Sequence, residues 1–440
     1  MPRALAQRGR GLQQRDLPVW PLWVFFAGFP LAWVLGLGAF IDQIAAIPMM
    51  TSLAVARHTR LPRSIGVWLL FLLWMLLSAL EVSGSSRMIG FAYRASLYIA
   101  ATVAFIYIYN TSPRRLPLTR VCAMAVTFLC FVIAGGYLGV VDPHGSLTTP
   151  FEHVLPASIV NNDLVGKLVH PPFAQVPEAS NYFHLDPRPA APFPYTNNWG
   201  ANFALLVPFV LAWMMETTKK RTRLLLCVLL AIGLVPAAIS LNRGMFLGLA
   251  VGITYAAVRF AMRGHGRALL GVIAVIGVIL MAASFLHVGT RLNHRITSSS
   301  TNQGRTSEYS ATYQETLGSP LLGYGAPASS TVTSSGPDLG TQGQFWTVMY
   351  SSGFPGAALF VLALLGFAWS TRRARSPAMI WIHTVPLIAL TMITFYALIG
   401  PELVVVMTAT GLALRDQQKS RRRYVRPRYV RTPELAASAA

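Results

Sequence analysis

Arg243 occupies a position in which a guanidinium group can bind an anion. It lies in the segment Ser240-Leu241-Asn242-Arg243-Gly244, between two apolar runs with hardly any loop to hold it in water. An arginine at the centre of a membrane helix costs about 2.5–3.5 kcal/mol, and less at a helix end. A planar guanidinium matches phosphate oxygens two at a time, so Arg243 is a candidate partner for an anionic ligand. The alternative is an arginine that extends to the membrane interface without a ligand.

A second set of basic residues lies in a segment rich in Ser, Thr and Gly. Arg305 opens the stretch Arg305-Thr306-Ser307-Glu308-Tyr309, and the segment Pro320-Leu321-Leu322-Gly323-Tyr324-Gly325 follows it. Three further residues that can carry positive charge precede it: Arg291, His294 and Arg295. Together with Arg243, these residues can bind a diphosphate from two sides, with Tyr324 nearby. They equally suit a solvated loop whose arginines pair with Glu308 and Glu315.

Asparagines and aromatic residues cluster in Tyr195-Thr196-Asn197-Asn198-Trp199-Gly200-Ala201-Asn202. The amides of Asn197, Asn198 and Asn202 can hydrogen bond to sugar hydroxyls, and Trp199 can stack on a sugar ring. The same residue types also suit a helix cap with an aromatic anchor at a membrane interface. Both readings remain open from the sequence.

Several common sites have no motif in this chain. There is no GxxxxGK[ST] loop for nucleotide phosphates, no HExxH and no paired Cys/His ligand set. Glu81, Glu216 and Glu402 fall at the ends of apolar runs, where acids cost little. We therefore expect neither a metal nor a cofactor.

The elements that must position these residues are membrane helices. Of the 440 residues, 54% are hydrophobic and 12% are charged, whereas an ordinary soluble domain has about 25% charged residues. The apolar residues form runs long enough to cross a hydrocarbon core about 30 Å thick. The sequence therefore predicts an all-α integral membrane protein with about twelve transmembrane helices.

The predicted organisation alternates spans with loops. The predicted helices are 21–39, 41–56, 64–82, 88–109, 119–141, 198–217, 222–241, 243–262, 267–287, 343–370, 376–396 and 399–414. A basic N-terminus (1–20) precedes five helices (21–141), a loop (142–197), four helices (198–287), a second loop (288–342), three helices (343–414) and a basic tail (415–440). In the first loop, aromatic residues such as Phe151, Phe173, Tyr182, Phe183 and Phe193 are expected to fold onto the helix ends. In the second, 306–316 is expected to form a short amphipathic helix.

The positions of the basic residues set the orientation. With these spans, 28 of the 36 Lys and Arg fall on one side, together with both termini. Such an excess marks the cytoplasmic face. We therefore expect the net charge of +21 to serve topology and contacts with membrane lipids rather than binding to nucleic acid.

The motifs resemble, in their order and placement, the O-antigen ligase and polymerase family. These polytopic bacterial enzymes join polyprenyl-diphosphate-linked glycans outside the cytoplasmic membrane. The likeness covers 195–202, 240–244, Arg305 with 320–325, and 341–356. It implies a GT-C-like helical fold, in which Arg243 and Arg305 bind the donor diphosphate, with Arg291, Arg295, Gln344 and Tyr324 as further candidate contacts.

One position departs from the family pattern. Its ligases carry a histidine eleven residues before the first glycine of the closing Gly-x-x-Gly, and counting back from Gly353 gives Gln342. An amide does not take up a proton at neutral pH, so Gln342 cannot act as a general base. Gln342 can orient a hydroxyl or a phosphate. Either another group accepts the proton, with Asp338, Glu308 and His294 as candidates, or the leaving diphosphate drives the reaction with little help from a base.

The sequence thus favours a metal-independent glycosyltransferase of the inner membrane. It would transfer or polymerise glycan from the lipid-linked donor onto a glycan or glycolipid acceptor, with its active site outside the cytoplasm. The main alternative is a transporter or flippase of lipid-linked glycan, since twelve spans are common among transporters. Transporter sites, however, usually lie near the bilayer midplane on broken helices. A scaffold of an envelope assembly complex is the third alternative.

Overall fold

Where the structure describes it, the chain folds into a bundle of helices with two short strand pairs. The computed structural model describes residues 17–56, 59–156, 160, 163–176, 186–285, 289–290, 301–329 and 338–425. The helices are α1 Trp20–Leu35, α2 Ile41–Val55, α3 Gly66–Leu77, α4 Ser85–Asn110, α5 Leu118–Val141, α6 Asp163–Val169, α7 Thr196–Glu216, α8 Lys220–Ile239, α9 Arg243–Met262, α10 Gly266–Phe285, α11 Thr301–Thr316, α12 Gln344–Thr371, α13 Pro377–Met392 and α14 Pro401–Val425. Short 3-10 turns at Gly38–Phe40, Arg63–Ile65 and Ser78–Glu81 flank α2 and α3.

The strands form two antiparallel pairs outside the bundle. β1 (Ala174–Gln175) pairs with β2 (Arg188–Pro189), with Gln175 opposite Arg188. β3 (Ala328–Ser329) pairs with β4 (Asp338–Leu339), with Ser329 opposite Asp338. Each pair is only two residues long and holds a loop together.

Each of the twelve predicted apolar segments overlaps a helix of the structure. Within the described residues, eight helices are long and apolar enough to cross a membrane, and the apolar helices α1 and α13 are shorter. These features support the predicted all-α membrane protein. α14 extends to Val425, beyond the predicted end at residue 414, because its polar sequence still consists of good helix formers.

α7 lies at the centre of the bundle. In its apolar window 78% of the residues are buried, against 28% in α8. α7 packs against α5 and α13, α13 also packs against α9, and α14 packs against α4. The N-terminal end of α7 is therefore surrounded by several elements, and its polar residues must find partners there.

The predicted helix 343–370 contains a break. Ser352 and Gly353 depart from helical geometry, and Gly353 has φ of +67°. Phe354 N–H donates to the Pro320 carbonyl at 2.9 Å, and Trp74 Nε1 donates to the carbonyls of Leu321 and Ser352 at 3.1 Å each. The glycine-containing segments 320–325 and 353–356 are thus in close backbone contact, one in a loop and the other at the break in α12.

The predicted helix 376–396 ends at Met392. The backbone of 393–400 pairs instead with the start of α12, where Phe345 N–H donates to Ile393 O at 2.9 Å and Gln344 N–H donates to Tyr396 O at 2.8 Å. Tyr396 therefore lies in a connecting segment rather than in a span.

The described parts of the two predicted loops contain ordered contacts and a helix. Phe193 is buried against Phe29 and Phe128, and Phe173 packs against Trp33. The predicted helix 306–316 is present as α11, which begins earlier, at Thr301. Tyr182 and Phe183 lie outside the described residues.

We predict that Gly353→Ala destabilises the protein, by about 1–3 kcal/mol for a non-glycine residue forced into the left-handed region. A β-carbon there would also lie 2.3 Å from Leu321 O. Denaturant or thermal unfolding in detergent measures the change. Gly366→Ala is the matched control, because a β-carbon at this position of α12 meets nothing within 4 Å. Equal stability of the two variants would contradict the proposed contact.

Candidate functional site

Asn242 fixes the turn between α8 and α9. Its Oδ1 accepts from Met245 N–H at 3.2 Å and so caps α9, while its Nδ2 donates to Thr196 O at 3.0 Å. Leu241 adopts the left-handed region with φ of +47°, which costs a residue with a β-carbon about 1 kcal/mol or more. Gly200 makes room for Asn242, since a β-carbon at residue 200 would lie 2.2 Å from Asn242 Nδ2. The turn therefore places half-buried Arg243 directly beside the start of α7.

Tyr396 joins this turn to the segment 393–400. Gly244 N–H, which has no partner within its own helix, donates to the Tyr396 hydroxyl oxygen at 2.7 Å. The Tyr396 hydroxyl in turn donates to Asn242 Oδ1. Burial raises the pKa of Tyr396, and the Gly244 hydrogen bond and the charges of Arg305 and Arg188 oppose that rise. The phenol thus stays neutral at physiological pH and acts as a hydrogen-bonding hub.

Arg305 reaches the same place from α11. One turn later, Tyr309 donates its hydroxyl to Thr394 O at 3.2 Å and stacks on Trp346 with ring centroids 4.4 Å apart. Burial raises the pKa of Tyr309, and the Arg305 charge opposes the rise. α11 is therefore held against the start of α12 and against 393–400. Arg305 is half-buried, and its charge lowers the pKa of both Tyr309 and Tyr396.

Arg188 is a third arginine at this position. Its guanidinium donates to Gln175 Oε1 at 3.1 Å, and its carbonyl accepts from Thr196 Oγ1 at 3.3 Å. Its charge acts on Tyr396 together with that of Arg305. We call the group Arg188, Arg243, Arg305, Asn242 and Tyr396 the Tyr396 site. It brings together residues far apart in the chain, all from loops or helix ends.

Three residues of the Asn- and Trp-rich segment have partners inside the protein. Trp199 is fully buried and donates from Nε1 to Val132 O at 2.8 Å. Asn198 and Asn202 donate from Nδ2 to Glu402 Oε1 at 3.1 and 2.8 Å. The expectation that Trp199 stacks on a sugar is therefore replaced by a packing role, and Asn198 and Asn202 hold a buried carboxyl group. Asn197 is half-buried.

Gln344 and Tyr324 also have structural partners. Gln344 is fully buried, donates from Nε2 to the Tyr98 hydroxyl at 2.5 Å and accepts at Oε1 from Leu398 N–H at 2.9 Å. Tyr324 donates its hydroxyl to Glu315 O at 3.0 Å and packs against Tyr350. We therefore correct Gln344 from a substrate contact to a positioning role, because it is fully buried and its amide holds neighbouring segments in place. Tyr324 is half-buried and stays a candidate contact, with its hydroxyl bound to Glu315 O.

Gln342 lies two residues before Gln344, at the point where α12 meets 393–400, and its side chain is half-buried. It remains a candidate substrate contact. Asp338 begins β4, but its side chain is outside the described part of the structure. Arg291, His294 and Arg295 lie outside the described residues. Among the described residues, no group of three or more His, Cys, Asp or Glu could hold a metal ion.

Sequence reasoning missed three residues of this region. Arg188 could have been found from the sequence, since it is one of the few Lys and Arg that the predicted spans leave off the cytoplasmic side. Tyr396 could not, because it lay within an apolar run. Glu402 looked like an inexpensive acid at a helix end, yet it is 1% exposed and bound by two asparagines.

No protein-family model matches the chain, and no curated protein matches it. The likeness to O-antigen ligases and polymerases thus depends on the short motifs quoted above. Of these, 240–244 and Arg305 contribute to the Tyr396 site, whereas 320–325 and 353–356 form the contact between a loop and the break in α12.

We predict that Tyr396→Phe destabilises the protein by about 1–3 kcal/mol, because the buried Gly244 N–H loses its acceptor. Unfolding in detergent measures the loss. Tyr313→Phe is the control, since the Tyr313 side chain is 45% exposed. A Tyr396→Phe variant as stable as Tyr313→Phe would show that the hub contributes nothing to the fold.

Proposed function

We propose that this protein is a membrane glycosyltransferase of the O-antigen ligase or polymerase kind. It transfers glycan from a polyprenyl-diphosphate-linked donor to an acceptor hydroxyl at the outer face of the cytoplasmic membrane. The observation that carries the proposal is the Tyr396 site. There the Tyr396 oxygen accepts from Gly244 N–H, next to Arg243, and the hydroxyl donates to Asn242. Arg188 is held at the start of α7 by Thr196, and the charges of Arg188 and Arg305 both lower the pKa of Tyr396.

Arginine is well suited to a diphosphate ligand. Each guanidinium offers a planar fork of donors that matches two phosphate oxygens. Arg243 and Arg305 are each half-buried, so they are accessible to a ligand while partly shielded from water. Partial shielding strengthens their attraction for an anion. A sugar diphosphate fits this arrangement because its leaving group gains negative charge as the reaction proceeds.

The reaction needs little else from the protein. The bond between the sugar C1 and the phosphate oxygen breaks, and its electron pair stays on the diphosphate. A bond forms between C1 and the acceptor oxygen, whose proton passes to a base. Gln342 can orient this hydroxyl but cannot take its proton. Glu308, one turn from Arg305 on α11, is the candidate acceptor among the described side chains.

The proposed membrane placement follows from charge. With twelve spans and both termini in the cytoplasm, most basic residues face the cytoplasm. The Tyr396 site then lies on the opposite side, at the helix ends where a lipid-linked donor presents its diphosphate. The lipid chain would lie beside the bundle while the glycan extends into the aqueous phase.

We predict that Arg243→Ala and Arg305→Ala each reduce transfer by about 10²–10³-fold, the usual cost of losing one preorganised donor that stabilises developing charge. The protein would be purified in lipid, supplied with a polyprenyl-diphosphate oligosaccharide from its host, and its products sized on a gel. Arg375→Ala is the control, since Arg375 is exposed and lies between α12 and α13. Arg243→Lys and Arg305→Lys would recover only part of the rate, because an ammonium group lacks the planar fork.

The product pattern separates the alternatives. A ladder of products indicates a polymerase, and a single addition that requires a second acceptor indicates a ligase. If the donor binds and crosses the bilayer but no glycan is transferred to any acceptor, the protein is a flippase and not a transferase. Full activity of both alanine variants would overturn the proposed diphosphate site.

We predict that Arg188→Gln weakens donor binding about tenfold or more, as expected when one charge-assisted hydrogen bond of about 1.5–3 kcal/mol is lost. Binding of the lipid-linked donor, measured by fluorescence or filtration, would test this. Lys167→Gln is the matched control, because Lys167 lies in the same loop but its ammonium is over the Tyr195 ring, 5.0 Å from the centroid. Equal affinities for the two variants would exclude Arg188 from the site.

A further inference from the structure

Ser146, His170 and Glu152 form a hydrogen-bonded series in the first loop. Ser146 Oγ lies 2.8 Å from His170 Nε2, and His170 Nδ1 lies 2.9 Å from Glu152 Oε2. Ser146 is exposed, while the side chains of His170 and Glu152 are 38% and 22% exposed. The proposed glycosyl transfer uses none of these three residues.

The protonation pattern of this series follows from its chemistry. An ionised carboxylate only accepts hydrogen bonds, so the Glu152 contact requires a proton on His170 Nδ1. In the neutral ring, Nε2 is then an acceptor and the Ser146 hydroxyl donates to it. This is the arrangement in which a histidine removes the proton of a serine nucleophile while a carboxylate orients the ring.

Ser146 is held in place by the backbone hydrogen bonds of its two neighbours, Gly145 and Leu147. It forms an antiparallel bridge with Pro172, flanked by hydrogen bonds from Leu147 N–H to Pro171 O at 3.1 Å and from Phe173 N–H to Gly145 O at 2.9 Å. In such a bridge the N–H of Ser146 points away from Pro172. That N–H has no backbone acceptor among the described residues. It is therefore available to bind an oxyanion that forms on the substrate.

Glu152 and His170 are also fixed by the fold. Glu152 lies in a turn whose Thr149 donates from Oγ1 to Val169 O at 2.5 Å. Phe151 N–H donates to Leu35 O at 3.2 Å at the end of α1, and His170 N–H donates to Gly166 O at 2.7 Å at the end of α6. Three separate segments thus converge on one hydrogen-bonded series, as a catalytic group requires.

We propose that Ser146, His170 and Glu152 form a second active site, which cleaves esters. The open position of Ser146 favours a substrate approaching from the aqueous phase. This site is independent of the glycosyl transfer proposed above.

The step balances without a cofactor. Ser146 Oγ attacks the ester carbonyl carbon as its proton passes to His170 Nε2, and the Ser146 N–H stabilises the oxyanion. The ester C–O bond breaks, the alcohol leaves with the proton from His170, and the acyl group remains on Ser146. Water, deprotonated by His170, then releases the carboxylic acid and restores the serine.

A fluorophosphonate probe tests the nucleophile directly. The full chain in lipid would be treated with the probe, and the modified residue located by peptide mass spectrometry. We expect the adduct on Ser146, and we expect labelling to slow about 10²-fold or more in His170→Gln, since general-base catalysis contributes about 10²–10⁴-fold. Glu152→Gln should slow labelling less, because it disturbs only the orientation of the ring.

Turnover of p-nitrophenyl acetate gives the second measurement. We expect Ser146→Ala to reduce it to the background rate, while Ser85→Ala, which removes another exposed serine, retains it. Each variant would be compared with the parent in its unfolding temperature, so that loss of fold is distinguished from loss of chemistry. Labelling of Ser146 that is unchanged by His170→Gln, or no adduct on Ser146 at all, would overturn the proposal.

Discussion

The Tyr396 site depends on the hydrogen bonds of one side chain, that of Asn242. One amide caps α9 through Met245, bonds the first residue of α7 through Thr196, and accepts from the phenol of Tyr396. The first N–H groups of a helix have no partner within it, and the amide oxygen supplies one to Met245 at the start of α9. The amide nitrogen adds a bond to the Thr196 carbonyl at the start of α7. Because Gly200 admits the amide so closely, the three elements have almost no freedom to slide. The positions of Arg188 and Arg243 relative to Tyr396 follow from this contact.

Arginine side chains have two different roles in this protein, holding the fold together and providing charge at the Tyr396 site. The hydrogen-bond acceptors around each arginine show which role it has. Arg87 donates to the carbonyls of Tyr324 and Ala326 at 2.9 and 2.8 Å, which fastens the loop 320–326 to α4. Arg259 donates to the carbonyls of Arg372 and Ala374 at 3.0 and 3.1 Å. In both cases backbone oxygens of a neighbouring loop occupy the planar fork, and the arginine stabilises the fold. The charge of Arg305 instead lowers the pKa of two phenols, Tyr309 and Tyr396, each of which donates its proton elsewhere.

The helices could be predicted from the sequence because the tendency to span a membrane is a local property of an apolar run. Their ends could not, because these depend on partners distant in the chain. α13 stops at Met392 since 393–400 pairs with the start of α12, and α12 breaks at Gly353 since 320–323 docks there. The same limit applies to the site: Arg243 and Arg305 are visible as unexpected charges. For Trp199 and Gln344, however, the sequence is the same whether the side chain faces a substrate or the protein interior. Only their hydrogen-bond partners in the folded protein show that both face the interior.

The first loop connects the two proposed sites. β1 and β2 place Gln175 opposite Arg188, so the strand pair that positions Arg188 continues back along the chain to Phe173 and His170. Loops of this length hold a fixed geometry only when apolar residues attach them to the core. Phe193 and Phe173 provide this attachment by packing against α1, and Phe151 adds a backbone bond to Leu35. The aromatic residues of the loop thus explain how a segment outside the bundle can hold Arg188 and the Ser146 series at fixed distances from their partners.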